Sequence, residues 1–267
     1  MKNVLLLAHD DEGQESRLQA ALDVTRAIGG HLTCLDVTPL PVSLADPLMV
    51  EMNTVLLEEE RQREERHIDR LRARLEHEDV SWDIRSVVGE FSPAIEDAAA
   101  LSDVIVVNRT LSALARHDLK DLADKLIVAS RRPVLAVPPE VRGCRMGGRA
   151  IVAWDGFPAC TAALREALPL LQQAEAVIII EIAPQVGDSS AREAAAYLSR
   201  HGIHPLIRFE RPLGRSVPDI LLTEIAERNA DYMVMGGYGH GRLIEKVFGG
   251  VTRELLARSP VPLFLAR

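Results

Sequence analysis

Two glycine clusters near the C-terminus have the type and spacing to hold an anion. One cluster follows the apolar run 231–235, which is typical of a buried strand, and the other precedes the helical pattern 251–256. The glycines are Gly236, Gly237, Gly239, Gly249 and Gly250. Glycine permits positive φ and lets backbone N–H groups come close to a ligand, and a helix N-terminus adds unpaired N–H groups and a positive dipole end. The two clusters therefore favour a phosphate-binding turn over a loop that is merely flexible.

The spacing separates this turn from two better-known phosphate loops. Gly236, Gly239 and Gly249 follow the pattern G-x2-G-x9-G. No Gly-Lys-Ser/Thr follows them, so the segment is not a Walker A loop. A dinucleotide fingerprint would follow the first strand of a βαβ unit, whereas this turn lies near the end of the chain. Arg242 and Lys246 have the charge to neutralise a phosphate, although exposed helix positions are their commoner role.

Other residues with chemical potential lack the partners that the chemistry needs. His201 and His204 have no cysteine or carboxylate cluster beside them, so no metal site is predicted. The sequence contains no Ser/His/Asp order and no nucleophile elbow, so no catalytic residue is predicted. The charged run 58–66 has i,i+4 pairs such as Glu59 with Arg63, which predicts the exposed face of a long helix.

The chain aligns with itself, which indicates two tandem domains. Asp10 and Asp155 each follow an apolar strand, and the same offset of 145 residues relates Pro39 to Pro184. Further matches are Gly89-x3-Pro93 with Gly214-x3-Pro218, 102–107 with 230–235, and 132–137 with 261–266. We therefore predict domains at residues 1–138 and 149–267, joined by a linker over 138–148.

Each half predicts an α/β fold. Short apolar strands alternate with helical patterns in the order β-α-β-α-β-α-β-α-β, which is typical of a parallel sheet with helices on both faces and right-handed crossovers. The last strands of the halves, 133–137 and 262–266, are short and apolar and begin with proline. Since a strand edge is normally covered or paired, we expect these strands to pair antiparallel across a pseudo-twofold axis, shielding Leu135 and Phe264 from water.

The second half resembles the universal stress protein family, whose nucleotide motif is G-x2-G-x9-G-[ST]. The resemblance rests on the motif glycines, on Val-Met-Gly-Gly-Tyr-Gly-His at 234–240 and on Ser-Pro-Val-Pro-Leu-Phe-Leu at 259–265. Through the internal repeat it extends over nearly the whole chain, in tandem. It implies two five-stranded parallel-sheet domains, Rossmann-like and adenine nucleotide α-hydrolase-like, that form a pseudo-dimer. Gly250 is a departure, because the family's ATP binders usually carry serine or threonine there.

The resemblance also implies a nucleotide site in the second half. Asp155 would contact the adenosine moiety, and Ile182 would line the adenine pocket. The residues implied around the phosphates are Met235, Gly236, Gly239, Gly249, Gly250, Val251 and Thr252, the last two beginning a helix. The ligand would be ATP or a related adenine nucleotide, with Mg²⁺ on its phosphates. Taken alone, Asp155 is equally typical of an aspartate that caps the turn before Gly156.

Two substitutions within the motif regions affect this expectation. Gly250 removes one hydroxyl contact, which is worth roughly 1 kcal/mol or about fivefold in affinity, so weak binding is predicted rather than none. In the first half, Asn108 and Arg109 follow the fourth strand and no glycine pair comes later at the matching position. Asp10 persists there without a phosphate site. We therefore predict that the first half does not bind ATP, with a different small ligand in its crevice as the alternative.

Composition narrows the class of protein further. The chain of 267 residues suits two domains, and its net charge of −8 argues against nucleic acid or an anionic membrane as a partner. No apolar run approaches the ~18 residues that span a bilayer, and the N-terminal apolar run is too short for a signal peptide. Cys34, Cys144 and Cys160 have no metal-type spacing and are expected to be reduced thiols, which indicates the cytoplasm.

Together these features predict a cytoplasmic stress-response protein that binds an adenine nucleotide in its C-terminal domain, for sensing or regulation rather than catalysis. A slow ATPase or nucleotidyl-transfer enzyme is the first alternative, and it ranks lower because no general base or nucleophile is placed at the crevice. The second alternative is a nucleotide-free scaffold that binds an unknown protein partner. Beyond the intramolecular pseudo-dimer, a further homodimer stays open.

Overall fold

Apolar strands alternate with helices along both halves of the chain. The computed structural model describes residues 1–38, 50–89, 91–109, 126, 132–182, 190–237 and 245–267. The first half contains strands β1 (Asn3–Ala8), β2 (His31–Thr38), β3 (Ser81–Val88), β4 (Val104–Asn108) and β5 (Val134–Val137). Its helices within the described residues are α1 (Gln14–Ile28), α2 (Val50–Leu75) and α3 (Phe91–Ala99).

The second half repeats this pattern. Its strands are β6 (Arg149–Trp154), β7 (Ala176–Ile182), β8 (Leu206–Glu210), β9 (Tyr232–Gly236) and β10 (Leu263–Ala266). Its helices within the described residues are α4 (Pro158–Glu166), α5 (Leu168–Leu171), α6 (Ser190–Arg200), α7 (Val217–Arg228) and α8 (Glu245–Arg258).

All ten strands belong to one sheet, in the order β3-β2-β1-β4-β5-β10-β9-β6-β7-β8. Neighbouring strands are parallel except at the centre, where β5 and β10 pair antiparallel with Phe264 opposite Leu135 and Leu265 opposite Val134. Leu135 and Phe264 are fully buried. The predicted antiparallel pairing of the two terminal strands, and the α/β class of both halves, are therefore confirmed.

The core has two layers, one on each face of the sheet. Leu6 and Val152 pack with α1, α2, α4, α5 and α6, whereas Leu5 and Ile151 pack with α3, α7 and α8. Because the central strands are covered on both faces, their sequences are continuous apolar runs rather than alternations of apolar and polar residues. The outermost strand β3 has no fully buried residue, as expected for a sheet edge.

Several predicted helix signals are found in place. Pro93 and Pro218 both lie in the first turn of a helix, where the missing N–H costs no hydrogen bond. The Ser216 hydroxyl accepts the N–H of Asp219 and caps α7, which ends at Asn229 in the left-handed conformation. These local signals fix where α7 begins and ends.

The charged run 58–66 lies in α2, which has 26 residues and confirms the predicted long helix. Arg61 and Glu65 form an i,i+4 ion pair at 3.1 Å, but Glu64 is buried rather than exposed, so the prediction of a wholly solvated face is wrong at that residue.

None of the helices in the described part of the chain is both long and apolar enough to cross a bilayer.

The connection between the halves packs against the protein. Cys144 and Met146 are buried, and the Cys144 N–H donates to the Asp23 carboxylate of α1 at 2.8 Å. Arg142 and Arg145 in the same segment are exposed. The predicted linker therefore alternates between buried anchors and accessible basic residues.

The β5–β10 pairing yields a first prediction. Leu265→Lys places a charge in a fully buried position next to Val134, where an unpaired charge costs roughly 3–5 kcal/mol. We expect the halves to separate more easily and trypsin to cleave after Arg142 and Arg145 several times faster, with fragments identified by mass spectrometry. Leu213→Lys, at an exposed leucine, is the matched control and should leave linker cleavage unchanged. Equal cleavage rates in the two variants would show that this pairing does not hold the halves together.

Candidate functional site

Ligands of open α/β sheets bind beyond the carboxyl ends of the strands, where the strand order reverses. In the second half, β6 lies between β9 and β7, so the crevice opens beyond these three strands. In the first half, β1 lies between β4 and β2 in the same way. The two crevices can therefore be compared residue by residue.

Asp155 follows β6 and is exposed at the second-half crevice. Its Oδ1 accepts the N–H of Phe157 at 2.9 Å, which caps the turn into α4, and Gly156 between them has φ +78°. This bond accounts for Asp155 as a turn residue. The carboxylate nevertheless lies at the mouth of the crevice, where a ligand could reach it.

Cys160 lies one turn further on, in α4. Burial, and to a smaller extent the adjacent Asp155 carboxylate, raises the pKa of the Cys160 thiol far above its usual range. The thiol therefore stays protonated at neutral pH and is a poor nucleophile.

Gly236 ends β9 at the same edge and is held close to α4. A Cβ atom on Gly236 would lie 2.8 Å from the Cys160 backbone nitrogen and 3.0 Å from the Ala159 Cβ. Helix packing alone therefore requires glycine at this position. The N–H of Gly237 donates to the Ala266 carbonyl at 2.8 Å, so it is already used by the sheet. Met235, just before, is buried.

The second glycine cluster lies inside a helix and not before one. α8 begins at Glu245, so the prediction that Val251 and Thr252 begin this helix is wrong. The free N–H groups of a helix belong to its first turn, which here precedes Gly249 and Gly250. Gly250 is exposed, and among the described residues beyond its own helix backbone a Cβ atom there would meet nothing within 4 Å, whereas Val251 is half-buried and Thr252 is buried. Gly239 and Arg242 lie outside the described residues.

The second strand contributes a polar group that sequence analysis missed. Glu181 is buried on β7, next to the half-buried Ile182. The Ser190 hydroxyl donates to Glu181 Oε1 at 3.1 Å and accepts the Trp154 indole N–H at 2.9 Å. The only sequence signal was one glutamate within an otherwise apolar strand.

The structure corrects the predicted equivalence of Asp10 in the first half with Asp155 in the second. Five residues separate β1 from α1, but only three separate β6 from α4. Asp11 Oδ1 accepts the N–H of Gly13 at 2.8 Å, just as Asp155 Oδ1 accepts that of Phe157, and Gly13 and Phe157 both cap a helix. The counterpart of Asp155 is therefore Asp11 and not Asp10. Asp10 lies at the surface, ion-paired to Arg70 at 2.8 Å.

The first-half crevice is filled by a fully buried arginine, Arg17 of α1. Its guanidinium pairs with Asp11 at 2.6 Å and donates to the Asn108 side-chain oxygen at 2.5 Å. Its other acceptors are the Leu7 and His9 carbonyls and the Gln14 side chain. Burial lowers the pKa of Arg17 below its ordinary value, against the opposing effect of Asp11, yet an arginine remains charged at neutral pH.

Asn108 occupies the register position of Gly236, because Val104 pairs with Val4 as Tyr232 pairs with Ala150. Its amide donates to the Ser16 hydroxyl at 3.0 Å and to the Val137 carbonyl at 3.2 Å. Gly236 at the end of β9 thus corresponds to Asn108 at the end of β4, whose side chain is hydrogen-bonded to buried partners.

Within the part of the chain that the structure describes, no group of three or more His, Cys, Asp or Glu side chains is placed to hold a metal ion. His201 packs its ring against Tyr197, with centroids 4.8 Å apart. The site is therefore described by its backbone turns, its carboxylates and the packing around them.

Comparison with known proteins agrees with this architecture. The sequence model described as the universal stress protein family matches residues 1–138 and 146–267. A universal stress protein of Mycobacterium tuberculosis is 34% identical over 79 residues, which is 30% of this chain and 27% of the length of that relative. The crystal structure of a universal stress protein from Archaeoglobus fulgidus matches with a TM-score of 0.76 at 20% identity, over 99% of this chain and 96% of that one. A protein of unknown function from Pseudomonas aeruginosa matches with a TM-score of 0.57 at 16% identity, over 100% and 92%.

The buried Arg17 yields a second prediction. Arg17→Met should lower the free energy of unfolding by roughly 3–5 kcal/mol, because it leaves the Asp11 carboxylate buried without its cation. Urea unfolding followed by circular dichroism measures this. Arg26→Met, on the same helix but in partly exposed ion pairs with Asp23, Glu78 and Asp79, is the control and should cost clearly less, about 1 kcal/mol. Similar losses in the two variants would contradict a structural role for the buried pair.

Proposed function

We propose that this chain, which belongs to the universal stress protein family, binds one adenine nucleotide such as ATP in its second half and acts in the stress response as a sensor or regulator. The nucleotide would lie beyond the carboxyl ends of β6, β7 and β9. The family assignment covers both halves. The single site follows from how the two crevices differ.

The contrast between Gly236 and Asn108 carries this proposal. Both residues end a fourth strand at the same register position. In the first half, Asn108, Asp11 and the cation of Arg17 fill the space beyond that strand with mutually bonded side chains. In the second half the same position has no side chain, and Asp155 is exposed beside it. The polar groups of the first crevice are thus used in bonds within the protein, whereas the exposed Asp155 carboxylate of the second is accessible to a ligand with hydroxyl groups, which supports one site per chain.

Each proposed contact has a chemical reason. The Asp155 carboxylate would accept hydrogen bonds from ribose hydroxyls, and Ile182 would contact the adenine ring. Phosphates would be held around Met235, Gly236, Gly239, Gly249, Gly250, Val251 and Thr252, with Mg²⁺ offsetting their charge. Since α8 begins at Glu245, the N–H groups of Gly249 and Gly250 become free only if its first turn unwinds. Binding would then be coupled to a change at the start of this helix.

Regulation fits this crevice better than catalysis. The nearby thiol of Cys160 is held protonated, so it cannot attack a phosphorus atom. All three cysteines are free and buried, which suits a reducing compartment such as the cytoplasm.

The test is a calorimetric titration with ATP in the presence of Mg²⁺. We expect one site per chain and a loss of about tenfold in affinity in Asp155→Asn, because hydrogen bonds to a charged acceptor are replaced by weaker bonds to a neutral amide oxygen. Asp10→Asn, the exposed aspartate of the first half, is the matched control and should bind like the wild type. Two equivalent sites, or an unchanged affinity in Asp155→Asn, would refute the proposal.

Gly250 gives a further prediction with an internal control. Ser and Ala both suit a helix better than glycine, so both variants should stabilise the fold, by roughly 0.5 and 1 kcal/mol. Only serine supplies a hydroxyl, which we expect to tighten nucleotide binding by up to about fivefold. Thermal unfolding and calorimetry separate the two effects. If Gly250→Ser and Gly250→Ala bind nucleotide equally well, the phosphates do not lie beside this residue.

A further inference from the structure

A serine, a histidine and an aspartate lie together on one face of the β2–β3 pair. His31 is the first residue of β2, and Ser81 and Asp83 belong to β3. His31 pairs in register with Ser81, and Asp83 is two residues further along the same strand. Because side chains alternate between the two faces of a strand, all three side chains are on the same face. The sequence did not indicate this group, because 50 residues separate His31 from Ser81.

The His31 imidazole is hydrogen-bonded through both of its nitrogens. Its Nδ1 lies 2.7 Å from the Ser81 hydroxyl oxygen, and its Nε2 lies 3.0 Å from Asp83 Oδ1. A carboxylate is only an acceptor, so Nε2 carries the proton and donates to Asp83. In the neutral ring Nδ1 is then unprotonated and accepts the O–H of Ser81. The Ser81 hydroxyl is therefore bonded to a base, and a carboxylate orients that base.

The neighbouring groups keep this arrangement in place and leave it accessible. The N–H of His31 donates to the Lys2 carbonyl at 2.7 Å, which fixes the start of β2. Arg85, two residues after Asp83 on the same face, ion-pairs with Asp97 of α3 at 3.1 Å. Ser81 and Asp83 are exposed and His31 is half-buried, so a small molecule in solution can reach the serine hydroxyl.

We propose that Ser81 is a nucleophile that accepts acyl groups from small activated esters. Its Oγ would attack the carbonyl carbon of the ester while its proton passes to His31 Nδ1, and Asp83 would stabilise the imidazolium that forms. A bond joins Oγ to the acyl carbon, and the bond from that carbon to the leaving oxygen breaks. The leaving oxygen keeps the electron pair and takes the proton from His31, so the products are acyl-Ser81 and a free alcohol or phenol.

The exposure of Ser81 limits the substrates to esters with a good leaving group. An oxyanion-hole donor is worth about 10²–10³ in rate in hydrolases, whereas water would solvate the oxyanion at the exposed Ser81. We therefore expect aryl esters of small acids to react, because a phenolate leaves more readily than an alkoxide. The group lies towards the amino ends of its strands, whereas the crevices lie at the carboxyl ends, so the proposal does not depend on nucleotide binding.

The test is acetylation of the full-length protein by p-nitrophenyl acetate, followed by trypsin digestion and mass spectrometry. The tryptic peptide 75–85 contains no lysine, and Ser81 is its only residue with a hydroxyl group, so a stable acetyl group on it is assigned to Ser81. We expect Ser81 to be acetylated at least about tenfold faster than Ser216. Ser216 is also exposed, but its hydroxyl donates to the Asp219 carboxylate at 2.7 Å, which is a weaker base than imidazole.

Substitutions separate the base from the residue that positions it. His31→Gln removes the base and should slow acetylation of Ser81 at least about tenfold. His77→Gln, at an exposed histidine in the same tryptic peptide, is the matched control and should leave the rate within about twofold of the wild type. Asp83→Asn should also slow the reaction, whereas Asp83→Glu keeps a carboxylate and should retain a higher rate than Asp83→Asn.

The comparison of Ser81 with Ser216 is made in the wild-type protein, so it needs no variant to fold. Circular dichroism checks the fold of each variant. Faster acetylation of Ser81 that depends on His31 supports the proposal. Equal rates at the two serines, an unchanged rate at Ser81 in His31→Gln, or equal losses in His31→Gln and His77→Gln would each overturn it.

Discussion

The structure depends on one backbone contact, the antiparallel pairing of β5 with β10. Without it, each half would end in a short apolar strand whose N–H and carbonyl groups faced water or another chain. Pairing the two strands turns two five-stranded sheets into one and places Leu135 and Phe264 in a continuous core. The crevices then lie in different halves of one sheet, each at the carboxyl ends of parallel strands.

The two crevices are built on the same order of strands and helices but contain different side chains. Where the second half has Gly236, the first has Asn108, and where the second has an acid bonded to Ser190, the first has Asp36, which lines a cleft together with Glu64. Asn108 is held by hydrogen bonds within the protein, whereas the Gly236 position has no side chain and α4 packs against it. The two halves therefore present different side chains at equivalent ends of the sheet strands.

Much of the fold was predictable because its signals are local or repeated. Apolar strand runs and first-turn prolines indicated the elements, and the internal alignment indicated the pairing of the last strands. The predicted equivalence of Asp10 with Asp155 was wrong because the turn between β1 and α1 has two extra residues. Asp10 and Asp11 are adjacent, so the sequence alone did not show which of them matches Asp155. The start of α8 was predicted too late, because glycine was taken to exclude a helix. Glycine destabilises a helix by only about 1 kcal/mol, and the packing of residues such as Leu255 offsets this cost. The proximity of Asp36 on β2 to Glu64 on α2 depends on how that helix packs on the sheet, so no local pattern could indicate it.

The covalent connection between the halves changes how their interface behaves. In a homodimer with twofold symmetry, every substitution at the interface occurs twice and the contact weakens on dilution. Here residues 138–148 connect the two halves covalently. The N–H of buried Cys144 in this connection donates to Asp23 of α1. The partner strand is thus present at a high effective concentration whatever the amount of protein in the cell. Each side of the contact can also change by mutation without the other, unlike the two identical sides of a symmetric interface.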